Sequence, residues 1–110
     1  MEDPLSIIQF AQPWQEKLAR RVVELSGQIV PAGKWEKKWG MPYLVVNGKN
    51  LLGIWSARNW TTVFIIGGAN LKSKIFEPGN RKKDATIHLE KGFQDWDELE
   101  RIIKSILLNV

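Results

Sequence analysis

Cysteine is absent from the 110 residues, and histidine and tyrosine occur once each, as His88 and Tyr43. Without cysteine there are no disulfides, no thiol nucleophile and no thiolate metal site. One histidine excludes a His-rich site within one subunit and puts a structural zinc site out of reach. Neither Gly-x-Ser-x-Gly nor His-Glu-x-x-His occurs, so no residue is assigned a catalytic role and none a metal-ligating role. Long apolar runs are missing as well, which leaves nothing to span a bilayer. Charge of one sign is scarce: 16 Lys and Arg against 12 Asp and Glu give a net charge of +4, a mild imbalance that fits a solvated surface. The start, MEDPLSIIQFAQPWQE, is acidic and meets proline before any long apolar run, which is not the plan of a signal peptide. The expectation is a cytoplasmic protein with no membrane partner and, at this length, a single domain over residues 1–110.

What the chain has in excess is tryptophan. Four of its six Trp residues fall between Trp35 and Trp60, in WEKKWGMPYLVVNGKNLLGIWSARNW. Within that stretch Asn47-Gly48 is the strongest short-range hairpin signal, because both central residues of the tight turn need positive φ. Strands are predicted over 42–47, 49–57 and 60–66, with a second tight turn at Arg58-Asn59. A regular two-residue loop places Val46 opposite Lys49, Leu44 opposite Leu51 and Tyr43 opposite Leu52. Leu44, Val46, Leu51, Gly53, Trp55, Phe64 and Ile66 then share one face, and Met41, Tyr43, Val45, Leu52, Ile54, Val63 and Ile65 the other. Gly53 lies opposite Phe64, whose ring would shield it. Both faces are apolar, so each needs a cover.

Around this meander, Pro13 and Gly27 bracket a helix with Trp14, Leu18, Val22 and Leu25 on its apolar stripe. Leu5 to Phe10 reads as a short helix, and Pro31 to Lys38 as another that ends at Gly40. Residues 67–84 form a connection with a helical turn near Asn70 to Phe76. Ala85 to Glu90 alternates as a fourth strand, with His88 facing outward. Asp95 and Glu98 open the last helix in the manner of a capping box. The fold class is α+β: an antiparallel sheet of four or more strands with N-terminal and C-terminal helices packed on it.

Trp39-Gly-Met-Pro-Tyr43, then Asn47-Gly48-Lys49, the Arg58-Asn59 turn and Ala85-Thr86-Ile87-His88-Leu89 before the last helix resemble the YdhG/YdeI-like family of small domains, most of unknown function. The resemblance spans nearly the whole chain and implies a frataxin-like α+β arrangement. One bacillar member is regarded as an iron chaperone, so the resemblance also implies iron as a cargo and a metallochaperone as an alternative function. No cofactor is expected from the residues themselves. Iron without thiolates needs hard oxygen or imidazole ligands, and the first helix offers only Glu16 and Glu24 among Lys17, Arg20 and Arg21.

Two residue sets remain as candidate sites. Trp39, Met41, Tyr43, Trp55, Trp60 and Phe64 lie in or beside the meander; core filling is their first reading, a homodimer interface through the sheet the second, and a pocket for a small molecule the third. Lys72, Lys74, Arg81, Lys82 and Lys83 in the connection suit an anion. Lys34, Lys37 and Lys38 beside Trp35 and Trp39 add a nucleic-acid reading. A solvated helix face with its Trp residues turned inward outweighs it, and no recognition motif accompanies the charge. The function expected is a non-enzymatic binding or interaction module, with a small-molecule or protein partner.

Overall fold

The computed structural model describes residues 3–79 and 83–109. A 3-10 turn over Pro4–Ile7 leads into α1, Pro13–Ile29. Five strands follow: β1 Lys34–Lys38, β2 Met41–Val46, β3 Lys49–Ser56, β4 Thr61–Ile65 and β5 Ala85–Leu89. The chain closes with α2, Trp96–Leu107. The strands form one antiparallel sheet in the order β1-β2-β3-β4-β5, so the architecture is the expected α+β plan with one strand more than the minimum of four.

The extra strand is a correction. Residues 34–38 are extended, where a helix over Pro31 to Lys38 was expected. The cause is in the next two residues: Trp39 has φ 52° and Gly40 φ 80°, so Trp39-Gly40 is a two-residue hairpin loop of the same kind as Asn47-Gly48, where φ is 51° and 76°. Trp35 pairs with Leu44 and packs against the core, while Lys34 and Glu36 are exposed. Its alternation over five residues was too short to outweigh the Pro31 and Gly40 brackets.

A second correction concerns register. Val46 does lie opposite Lys49 and Val45 opposite Asn50, but Leu44 pairs with Leu52 and Tyr43 with Gly53, leaving Leu51 as the extra residue of a β-bulge. Every side chain of β3 beyond the bulge is thereby reversed relative to the expected faces. Leu44, Val46, Leu51, Leu52, Ile54, Val63 and Ile65 join one core together with Ala85, Ile87 and Leu89 of β5. Trp55, Gly53 and Phe64 go to the opposite face, with Met41, Tyr43 and Val45.

Both helices lie on the first face. From α1 come Ala19 and Val22, and from α2 Leu99, Ile102, Ile103 and Ile106. Each such fully buried Leu or Ile contributes about 2 kcal/mol of transfer free energy. The buried stripe of α1 is Gln15, Ala19, Val22 and Ser26, one residue round from the expected Trp14, Leu18, Val22 and Leu25, of which only Val22 is fully buried. Gln15 explains the rotation. Its Nε2 donates to the carbonyls of Ala57 at 2.7 Å and Trp60 at 2.9 Å, and its Oε1 accepts from the Gln12 N–H at 2.7 Å. A fully satisfied amide is cheap to bury, and it clamps the β3–β4 turn to the first turn of α1. The helix also runs through Gly27 to Ile29.

Smaller differences follow local chemistry. The first helix is the 3-10 turn at Pro4–Ile7, capped by Asp3 Oδ1 accepting from the Leu5 N–H at 3.1 Å. The helical turn expected near Asn70 to Phe76 is a 3-10 turn at Gly68–Asn70. Asp95 makes no side-chain cap bond to α2, and Glu98 is forked by Arg101 instead of returning to the cap.

Candidate functional site: the open aromatic face of the sheet

Pairing across the strands defines the second face of the sheet. One row runs Glu36, Tyr43, Gly53, Phe64, Thr86, and the next runs Trp55, Thr62, His88. Met41, two residues before Tyr43 on β2, alternates onto the same side. Among the described residues no helix or strand packs across these rows, and none of their side chains joins the helix-side core. The bulge at Leu51 is what assembles the face, because regular pairing would put Trp55 and Phe64 on the opposite side from Met41 and Tyr43.

The six aromatic-set residues expected from the sequence take distinct places here. Phe64 lies opposite Gly53 as expected, and Tyr43 is the ring nearest the glycine: a Cβ built there would stand 2.9 Å from Tyr43 Cε1. Trp39, at the tip of the β1–β2 hairpin, meets Tyr43 edge to face with centroids 5.7 Å apart, yet keeps 81% of its surface exposed. Trp55 is 38% exposed, and Met41 and Phe64 are half-buried. Trp60, just before β4, stacks on His88 at 4.1 Å and 14°, and its Nε1 donates to Thr62 Oγ1 at 3.1 Å.

Polar groups border the aromatics unevenly. Lys34, Glu36 and Lys38 stand on β1, with Lys38 Nζ donating to Asn50 Oδ1 at 2.9 Å. On the β5 side Glu77 Oε1 lies 3.0 Å from His88 Nδ1, and Glu77 is fixed there by its own N–H donating to the Thr86 carbonyl at 2.8 Å. Glu90 follows His88 by alternation and is exposed. The outward placement of His88 was legible from the alternation of β5; its partners Trp60 and Glu77 were not, since no local spacing links them.

The basic residues of the connection form no common site. Lys74 Nζ is 3.5 Å from Asp95 Oδ1, and the Lys72 carbonyl accepts from Arg101 Nη2 at 3.0 Å, both beside the acidic start of α2. Lys83 is exposed near Gly67 and the end of α2, and Arg81 and Lys82 lie outside the described residues. The Gly67 N–H already donates to Asp84 Oδ1 at 2.8 Å. For a metal, no three His, Asp or Glu side chains converge among the described residues. Glu16 is engaged by Arg20 Nε at 2.9 Å.

No family model matches the chain, and no curated protein matches it. Among solved structures it superposes on the crystal structure of a DUF1801-family protein, YdhG, from Bacillus subtilis, with a TM-score of 0.78 at 19% identity over 99% of this chain and 92% of that one. The chain has the fold of YdhG. The resemblance in the Trp39 to Tyr43 and Ala85 to Leu89 segments is therefore matched by the path of nearly the entire backbone. Likeness to YdhG at this identity carries the architecture and assigns no ligand. No described helix is long and apolar enough to cross a membrane.

Proposed function

We propose that this protein is a non-enzymatic interaction module that receives its partner on the open aromatic face of the sheet. The observation that carries the reading is Trp39. A bulky residue in left-handed backbone is a conformational outlier that costs on the order of 1 kcal/mol, and asparagine or glycine would fill the turn more favourably. Trp39 adopts φ 52° and still leaves 81% of its surface in water. Neither burial nor turn chemistry accounts for a tryptophan there, whereas a contact surface does, because exposed Trp and Tyr supply large, stiff anchors. Tyr43 and Trp55 extend the same surface inward.

The test is a thermal-shift panel of metals, nucleotides, nucleic acids and metabolites on wild-type protein and on Trp39→Ala and Trp55→Ala, since any ligand of the native state raises the midpoint. The reading expects a stabilising ligand whose effect both substitutions remove while the variants stay folded. A ligand that stabilises both variants as strongly as wild type places the binding site elsewhere.

A further inference from the structure

The open face has a polarity across its strands. At the β1 edge it carries Lys34 and Lys38 with Glu36 between them; at the β5 edge it carries Asp84, Glu77 and Glu90 about His88, against one basic residue, Lys91. Between the edges the surface is Tyr43, Gly53, Trp55, Phe64 and Thr62, with no charge. A strand of single-stranded nucleic acid crossing from edge to edge would gain at β1 and be repelled at β5. The distribution suits a partner with the opposite polarity.

The chain itself has that polarity. We infer that a second copy covers the face, the two sheets stacking about a two-fold axis that lies between them and runs along the strands. That axis is the one that sets β1 of each copy over β5 of the other and β3 over β3. Lys38, level with His88 in the strand register, then meets the partner's Glu77 and Glu90, Lys34 falls level with the partner's Asp84, and Trp55 meets the partner's Trp55 at the centre. A two-fold axis across the strands would instead set β1 on β1, basic edge on basic edge, so charge selects between the two arrangements. Face-to-face sheets pack about 10 Å apart with their side chains interdigitated, which suits half-buried aromatics on a sheet otherwise open to water. Isologous contact also demands self-complementarity, and an edge-to-edge exchange of sign satisfies it. The uncharged aromatic centre with a charged rim is the usual anatomy of such an interface. This inference rests on the proposal that the open face is the interaction surface.

Sedimentation equilibrium of the whole chain over a wide concentration range tests it. Wild type is expected to approach twice the 12.6 kDa chain mass as concentration rises, and Trp55→Glu to remain monomeric. Lys38→Glu and Glu90→Lys reverse the two charges that the axis brings together, at a half-buried and an exposed position. Each alone is expected to weaken the dimer by about tenfold, and the double charge reversal to restore it, since the pair is exchanged across the axis. Far-ultraviolet circular dichroism establishes that each variant is folded before its mass is read. A wild type that stays monomeric, a dimer that Trp55→Glu leaves intact, or charge reversals that add without rescue would each overturn the inference. In the monomeric case, a panel ligand whose stabilisation Trp39→Ala and Trp55→Ala abolish would leave the open face standing as a site for a different partner. A monomer with a stabilising ligand insensitive to both would defeat the two readings together.

Discussion

Tyr43 closes over Gly53 on the neighbouring strand, near enough that a methyl group on the glycine would stand 2.9 Å from Tyr43 Cε1 and 3.1 Å from Cδ1. The contact joins the edge hairpin to the middle of the sheet on the open face. Gly53→Ala must push the ring aside, and overpacking of this kind costs about 1–3 kcal/mol. Urea denaturation should show that loss in wild type and much less of it when Tyr43 is already Ala, a coupling that a double-mutant cycle reads directly. Full loss in the Tyr43→Ala background would mean that the strand needs glycine for a reason other than the ring.

Trp39→Asn is expected to stabilise the fold. Asn-Gly is the preferred pair for a two-residue loop with both φ values positive, and relieving the outlier should add about 0.5–1 kcal/mol to unfolding free energy. The same substitution should diminish partner binding at the open face. Gain in stability with loss of binding is the signature of a residue kept for contact; a loss of stability would say that the Trp39–Tyr43 ring contact outweighs the backbone strain.

Gln15→Ala takes the amide donor from the Ala57 and Trp60 carbonyls, which keep Ser56 Oγ at 3.3 Å and the Ala57 N–H at 3.0 Å. Each lost hydrogen bond is worth about 1 kcal/mol net, so chemical denaturation should show a loss of about 2 kcal/mol. Gln15→Glu should be at least as damaging, because a carboxylate facing two carbonyls has no proton to donate. A loss under about 0.5 kcal/mol for Gln15→Ala would show that the clamp is replaced by water.

Acid should uncover the Glu98 pair. Arg101 grips both Glu98 oxygens, at 2.7 and 2.8 Å, and Ser73 Oγ donates to one of them; together they hold the carboxyl at about 2 against an ordinary value of 4.5. Asp3 is lowered as well, first by Arg20 and then by the Leu5 N–H. A carboxyl with a lowered folded-state pKa binds more protons when unfolded, so its stabilisation is fully present above 4.5 and is lost as pH falls toward about 2. Glu98→Gln should therefore separate from wild type in thermal midpoint above pH 5 and converge with it as the pH approaches the folded-state pKa. Equal separation at all pH values would assign the effect to packing.

Much of this fold was legible because it rests on local chemistry. Asn47-Gly48, the Arg58-Asn59 turn, the alternation of Ala85 to Leu89 and the stripe of Leu99, Ile102, Ile103 and Ile106 each announce an element within a few residues. What escaped was non-local or doubly determined. Trp39-Gly40 is as much a hairpin loop as Asn47-Gly48, but Trp is a poor advertisement for positive φ, so β1 read as a helix. The bulge at Leu51 leaves no mark in a strand where Leu51 and Leu52 are both apolar, and missing it divided the aromatics between two faces. The rotation of α1 depends on Gln15 finding carbonyls more than forty residues away. The sequence places the six aromatic-set residues in or beside the meander; that four of them share one sheet face needed the register.

The six tryptophans are built-in reporters of which surface is used. Trp39, Trp55 and Trp60 belong to the open-face side, whereas Trp35 packs into the helix-side core and Trp14 and Trp96 belong to the helices. The indole N–H resonances followed by nuclear magnetic resonance from dilute to concentrated protein should show Trp39 and Trp55 shifting together, with Trp60 alongside and Trp14, Trp35 and Trp96 fixed. Movement confined to Trp14 and Trp96, or none across the series, would contradict a partner copy seated on the open face.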